Sequence, residues 1–179
     1  RKVAILLGGR ALREPTLVAA GRIAAKTGAK LFAEVFPTRL ERGAGVPPVE
    51  RIAYLAELAS VQLEGYEDLI LVDAKAPVSF FAYPDKKSYL VPDGCTTHTL
   101  VAPEQDVMLS LDRVVDAIQA RNTDPERQAF SRPELPKGKL TAKKVCQAVG
   151  ALMPDRLIIS DEAQTSGSKL ASLTARATT

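Results

Sequence analysis

Two short segments of the chain combine glycine with groups that could hold an anion. Gly8, Gly9 and Arg10 follow the apolar run Val3–Leu7, and a hydroxyl-rich segment at 162–168 (Glu-Ala-Gln-Thr-Ser-Gly-Ser) follows the apolar residues 157–159. Glycines allow a ligand to approach the backbone, and the N-terminus of a following helix favours an anion. Both segments are therefore candidates for contact with a phosphate group.

Neither segment is specific for a ligand by its pattern alone. Two glycines fall short of the full Gly-x-Gly-x-x-Gly pattern, so a tight turn without a ligand explains residues 8–10 about as well. For residues 162–168, a hydroxyl-rich helix cap is favoured over a phosphate cradle by about two to one. Both interpretations stay open at this point.

Other residues with reactive side chains are scarce. His98 is the only histidine, so an exposed histidine near the start of a strand is expected rather than a metal ligand or a catalytic base. Cys95 follows Asp93 and Gly94 in a predicted turn, and Cys146 is predicted to be a small packing residue of a helix. Two cysteines without metal-ligand spacing favour a reducing, cytoplasmic compartment. We predict no catalytic residue and no metal ligand in this chain.

The composition is that of an ordinary globular protein and argues against a nucleic-acid partner and a membrane-spanning segment. Hydrophobic residues make up 46% of the chain and charged residues 25%, as in typical globular domains. The formal net charge is only +3, and the basic residues are dispersed without interleaved aromatics, so a nucleic-acid partner is not expected. No apolar run is long enough to cross a bilayer.

Apolar runs alternate with helical periodicity along the first two thirds of the chain. Buried strands followed by crossover helices are typical of a mostly parallel, doubly wound α/β sheet of the Rossmann-like kind. The aromatic residues Phe80, Phe81 and Tyr83 are predicted to lie in the core of this sheet. The predicted strands are 3–7, 31–36, 68–73, 77–83 and 97–101, and the predicted helices begin near 15 and span 49–63 and 105–120.

A second, incomplete α/β domain is predicted to follow. Residues 1–121 form the first domain, and the polar, proline-rich residues 122–139 read as a linker. Residues 140–179 then supply a helix from about 141, a strand at 157–159 and the start of a helix at 169. The chain begins on a core strand without an initiator Met and ends within a helical pattern, so we expect a fragment of a longer polypeptide.

Three stretches of the chain resemble the central domain of thiamine-diphosphate enzymes of the acetolactate synthase large-subunit type. They are the strand with Gly8 and Gly9, the loop 40–47 (Leu-Glu-Arg-Gly-Ala-Gly-Val-Pro) and, most specifically, residues 76–84 (Ala-Pro-Val-Ser-Phe-Phe-Ala-Tyr-Pro). Residues 157–162 are similar to the entry of the family's pyrophosphate-binding domain. The resemblance covers essentially the whole chain, and the closest branch lies near benzoylformate decarboxylase.

The resemblance implies an enzyme that uses thiamine diphosphate and Mg²⁺ to decarboxylate a 2-keto acid, and that acts as a homodimer or homotetramer. It assigns contact with the cofactor's diphosphate to Gln164, Thr165 and Ser166. In some members the central domain binds FAD or ADP, which would place a nucleotide at Gly8, Gly9 and Arg10. The family's catalytic glutamate and its metal-binding Gly-Asp-Gly are not among these residues, so the fragment alone is expected to be inactive. The alternative is a stand-alone nucleotide-binding or structural spacer domain.

Overall fold

The first part of the chain forms a five-stranded sheet in which every pair of neighbouring strands is parallel. The computed structural model describes residues 1–163 and 165–175. The strand order is β3-β2-β1-β4-β5, the order of one doubly wound nucleotide-binding fold. The predicted fold class is confirmed. The strands are β1 (Val3–Leu7), β2 (Lys30–Ala33), β3 (Glu50–Arg51), β4 (Asp68–Val72) and β5 (Thr96–Val101).

Strand β1 lies at the centre of the sheet and is buried on both faces. Its residues 4–7 are each no more than 3% exposed, which explains why this strand reads as a continuous apolar run rather than as an alternating pattern. Ala4 and Leu6 belong to a core cluster with Phe32 and Leu69. Because side chains alternate along a strand, Ile5 and Leu7 point to the opposite face.

Helices cover the two faces of this sheet. Helix α2 (Ala56–Leu63) contributes Ala59 and Leu63 to the cluster that contains Leu6. Helix α1 (Glu14–Thr27) and helix α3 (Val107–Ala117) pack against each other, and they also contact β2 and β5 respectively. A short 3-10 turn (Gly9–Leu12) connects β1 to α1.

Three of the predicted elements differ from the structure. Residues 77–83 are not a strand, because only an isolated antiparallel bridge joins Val78 to Tyr89. The predicted helix 49–63 begins only at Ala56, and the residues before it include strand β3. Residues 157–159 form no strand, and Ile158 is 78% exposed.

The remaining residues form a smaller unit built on helix α4 (Ala142–Leu152). Thr141 caps this helix by accepting a hydrogen bond from the Lys144 amide, as is typical of an N-cap threonine. The short helix α5 (Leu170–Leu173) packs against α4. Cys146 is buried at 4% exposure, which confirms its predicted packing role, and its thiol donates to the Ser166 carbonyl at 3.3 Å.

The two compact units do not divide the chain at a single point. The first contains residues 1–40 and 49–126, and the second contains residues 41–48 and 127–175 of the described chain. Within the second unit, the Gly45 amide donates to the Gln128 carbonyl, and the Gln128 amide donates to the Val46 carbonyl. The loop 41–48 is therefore hydrogen-bonded to Gln128, which lies within the predicted linker. The division into 1–121, 122–139 and 140–179 stays a prediction.

Gly150 is the residue that allows α4 and α5 to approach each other. A Cβ atom at this position would lie 1.8 Å from the Leu173 carbonyl oxygen and 3.0 Å from Pro133 Cγ. We expect Gly150→Ala to lower the free energy of unfolding by about 1–3 kcal/mol, because overpacking outweighs the gain in helix propensity. Chemical denaturation measures the effect, with the exposed Lys143→Ala in the same helix as control. An unchanged midpoint for Gly150→Ala would contradict this packing.

Candidate functional site

The carboxyl ends of three neighbouring strands meet where a doubly wound sheet usually binds its ligand. Leu7, the last residue of β1, is in register with Ala33 of β2 and with Val72 of β4. The next residue of each strand is therefore Gly8, Glu34 and Asp73 respectively. The strand order reverses at β1 and β4, which is the topological switch point of this fold.

The backbone of the Gly8–Arg10 turn is hydrogen-bonded to the side chains of Glu34 and Asp73. The Gly9 amide donates to Glu34 Oε1 at 2.9 Å, and the Arg10 amide donates to Asp73 Oδ2 at 2.8 Å. The Gly8 amide donates to the Val72 carbonyl at 3.0 Å. The structure thus brings the three predicted residues together with two acidic side chains that sequence reasoning did not single out.

The Arg10 side chain also forms an ion pair with Asp73. Its Nε lies 3.2 Å from Asp73 Oδ2, and the Asp73 side chain is only 8% exposed. The same guanidinium donates to the carbonyl of Pro103 and, at 3.0 Å, to that of Gln105. The guanidinium of Arg10 therefore contacts one carboxylate and two backbone carbonyls of the protein.

The second predicted site lies in the smaller unit. Thr165 and Ser166 are exposed, and Gly167 follows them in a turn. The Ser168 amide donates to the Thr165 carbonyl at 3.3 Å, which closes the turn. A Cβ at Gly167 would lie 2.9 Å from Asp161 Oδ1 and 3.0 Å from the Ala163 carbonyl oxygen, so a larger residue there would require these neighbours to shift. Gln164, the third predicted cofactor contact, lies outside the described residues.

An exposed aromatic cluster occurs where the sequence predicted buried sheet. Phe80, Phe81 and Tyr83 are each about half exposed, so their assignment to the core was wrong. The rings of Phe36, Tyr54 and Phe80 are in mutual contact, with centroids 4.9–5.6 Å apart. We call Phe36, Tyr54, Phe80, Phe81 and Tyr83 the aromatic cluster. Exposed apolar patches of this kind mark interaction surfaces or ligand grooves.

A surface pocket of about 300 Å³ adjoins the aromatic cluster. Tyr54, Phe81 and Tyr83 line one part of it, and the ion pair between Lys86 and Glu57 lies at another. The hydrogen bond from Lys86 lowers the pKa of the Glu57 carboxyl. The pocket thus combines aromatic rings with a charged pair.

His98 and Cys95 do not form a nucleophilic site. His98 lies on β5 with a half-exposed side chain, as predicted, and its Nε2 is 2.9 Å from Asp68 Oδ1. Burial, together with the negative charge of Asp68, raises the pKa of the Cys95 thiol. A raised thiol pKa disfavours the thiolate, which is the nucleophilic form.

Residues 1–163 and 165–175 contain neither a metal-binding cluster nor a membrane-spanning helix. No group of three or more His, Cys, Asp or Glu side chains is placed to hold a metal ion there. Over the same residues, none of the helices combines the length and the apolar character that a bilayer crossing requires.

Comparison with known proteins supports the predicted resemblance. Over 175 residues the chain is 48% identical to a putative acetolactate synthase large subunit, IlvX, of Mycobacterium tuberculosis. The chain resembles an acetolactate synthase large subunit. The alignment covers 97% of this chain and 33% of the relative, so the chain spans about a third of the protein that it matches. No protein-family model matches the chain.

The Asp68 carboxylate should make the stability of the first unit depend on pH. Its hydrogen bond to His98, opposed by burial and assisted by the charge of Arg1, holds the pKa of Asp68 below its usual value. A carboxyl whose pKa is lower in the folded state stabilises the fold above the unfolded-state pKa, and this contribution is lost as pH falls through the folded-state value.

We therefore expect stability to fall on acidification through the pH region near and below 4, the usual range of aspartate, and to fall less steeply in Asp68→Asn. Denaturant titrations at a series of pH values measure the two slopes. Asp124→Asn, which removes an exposed carboxylate elsewhere in the unit, should follow the wild type. Equal slopes in wild type and Asp68→Asn would refute this role of Asp68.

Proposed function

We propose that this chain is part of a thiamine-diphosphate-dependent enzyme that decarboxylates a 2-keto acid and passes the product to a second carbonyl compound. The observation that carries the proposal is the 48% identity with part of a putative acetolactate synthase large subunit. The all-parallel sheet with the order β3-β2-β1-β4-β5 is compatible with the central domain that the resemblance implies.

In this proposal the second unit contributes to the binding of the cofactor diphosphate. The Thr165 and Ser166 side chains are exposed, so that their hydroxyls can donate to phosphate oxygens. The Ser166 carbonyl accepts from Cys146 Sγ, which ties the backbone of the turn to helix α4. The residues present therefore fit a diphosphate contact, and Gln164 is proposed as a third one from the sequence alone.

The chemistry of the reaction belongs mainly to groups outside these residues. When bound, thiamine diphosphate would serve as the electron sink for decarboxylation. No Gly-Asp-Gly occurs in the chain, so we propose that Mg²⁺ is held elsewhere in the enzyme. In this proposal the chain positions the diphosphate and supplies no catalytic residue of its own.

We also propose that the enzyme is a homo-oligomer and that it is located in the cytoplasm. The resemblance implies the homo-oligomer, and the two cysteines without metal-ligand spacing favour a reducing, cytoplasmic compartment. The aromatic cluster is an exposed surface suited to a protein contact. Aromatic residues are enriched in the centres of protein interfaces. Phe81 and Tyr83 are both about half exposed in this cluster, so that a partner could bury a substantial apolar area there.

The stand-alone nucleotide-binding alternative is less well supported by the geometry. It would use the amides of Gly9 and Arg10, which already donate to Glu34 and Asp73. The alternative of a structural spacer is compatible with these contacts, and it can describe the first unit within a larger enzyme.

The first test is an activity assay on the full polypeptide that carries these residues. We expect it to release CO₂ from pyruvate or another small 2-keto acid only when thiamine diphosphate and Mg²⁺ are both present. The assay should follow CO₂ and the carboligated product together, because their ratio separates decarboxylation from ligation. A protein that neither binds thiamine diphosphate nor consumes any of a panel of 2-keto acids would contradict the proposal.

Variants of the second unit then test the diphosphate contact. Thr165→Val and Ser166→Ala each remove one hydroxyl from the exposed turn. A hydrogen bond to a charged group contributes about 1.5–3 kcal/mol, so we expect affinity for thiamine diphosphate to fall by about tenfold to a hundredfold. The control is Ser60→Ala, which removes an exposed hydroxyl from helix α2. Wild-type affinity in both turn variants would show that this turn does not touch the cofactor.

The aromatic cluster is tested through the oligomeric state. We expect Phe81→Ser to weaken self-association of the full polypeptide and to shift it toward smaller species in sedimentation velocity runs at low concentration. Phe130→Ser removes an exposed ring outside the cluster and serves as the matched control. An identical distribution for wild type and Phe81→Ser would exclude the cluster from the interface.

A further inference from the structure

The turn after β1 has the position of a phosphate-binding turn, but its donors are already used. In doubly wound folds, backbone N–H groups at this turn and at the start of the following helix bind a nucleotide phosphate. Here the amides of Gly9 and Arg10 donate to the carboxylates of Glu34 and Asp73 at 2.9 and 2.8 Å. The Ala11 amide donates to the Gly8 carbonyl at 2.8 Å. These three successive donors are satisfied from within the protein.

The space above the glycines is also filled by the protein. A Cβ on Gly8 would lie 2.5 Å from the Asp73 carbonyl oxygen and 3.0 Å from Glu34 Oε2. A Cβ on Gly9 would lie 2.6 Å from Asp73 Oδ2. The absence of side chains at these glycines therefore makes room for two acidic residues, where a nucleotide-binding turn makes room for a diphosphate.

The charges beside the turn oppose the binding of a further anion. Glu34 and Asp73 place two carboxylates against the turn, and Arg10 is the cation paired with Asp73 at 3.2 Å. The same guanidinium also donates to the Pro103 and Gln105 carbonyls. A diphosphate placed here would meet like charges and would have to displace bonds that are already made.

Asp73 is held in this position by its backbone as well as by its side chain. Its φ angle of 49° lies in the left-handed region, which aspartate adopts more readily than most residues. Its amide donates to the Val101 carbonyl of β5 at 2.9 Å. The neighbouring strand thus fixes the conformation that turns the carboxylate toward Arg10.

We propose that Glu34 and Asp73 are built-in substitutes for a bound phosphate, so that the Gly8–Arg10 turn does not accept FAD or ADP. The glycine turn that suggested a nucleotide site instead connects the ends of β1, β2 and β4 through hydrogen bonds within the protein. The first unit then acts as a nucleotide-free spacer. This inference concerns the first unit alone and does not depend on the reaction proposed above.

Two-dimensional NMR of the chain tests the proposal at the two amides concerned. We expect additions of ADP or FAD up to about millimolar concentration, the range of weak binding, to leave the Gly9 and Arg10 amide signals unmoved. Glu34→Gln should shift the Gly9 signal, and Asp73→Asn should shift the Arg10 signal, because each changes the acceptor of that one amide. Saturable movement of both wild-type signals with ADP or FAD would overturn the proposal.

A third variant separates a filled site from a turn that never suited an anion. Glu34→Ala removes the acceptor of the Gly9 amide and opens the space beside it. We expect inorganic phosphate to move the Gly9 signal in Glu34→Ala and to leave it in place in the wild type. Glu64→Ala, at the exposed end of helix α2, is the control for loss of one negative charge. Equal responses of the wild type and Glu34→Ala to phosphate would count against the proposal.

Discussion

The register of the parallel sheet is the constraint on which the rest of the first unit depends. Leu7 is level with Ala33 and Val72, and parallel strands bring their carboxyl ends to one edge. The residue after each of the three strands is therefore delivered to the same place. Glycine on the central strand and acidic residues on its two neighbours are complementary there, since the backbone of one supplies the donors that the others need. A shift of one residue in either pairing would break this match.

Burial decides which strands could be recognised from the sequence. Strands β1 and β4 have nearly continuous apolar runs because they are covered on both faces, and their patterns predicted them closely. Strand β3 has only Glu50 and Arg51, both exposed at the edge of the sheet, and no hydrophobic pattern marks it. Residues 77–83 and 157–159 show the opposite error, a strand predicted where none forms. Their apolar residues suggested strands, but within the described chain they pair with no strand of the sheet. Their side chains remain largely at the surface, so hydrophobicity alone misassigned them.

The candidate site shows a similar limit. The glycines of the first turn were identified because a strand followed by two glycines is a local pattern. Glu34 and Asp73 lie 25 and 63 residues away from their amide partners, and no local pattern connects them. One signal was present: an acidic residue, Glu34 or Asp73, lies at or near the carboxyl end of each strand that flanks β1, although the predicted strands 31–36 and 68–73 included both residues. Using that signal requires the strand order as well as the strand positions, and the order is fixed by tertiary packing.

The two turns, which looked alike in sequence, are physically different. In the first, successive amides are bonded to carboxylates and the space beside the glycines is occupied. In the second, Thr165 and Ser166 are exposed in the described structure, and the turn is closed by its own backbone. A phosphate-binding fold therefore does not by itself provide a phosphate site, because the fold supplies only the position of the donors. Whether those donors serve a ligand depends on which side chains the neighbouring strands deliver, and in the first unit they deliver the protein's own anions.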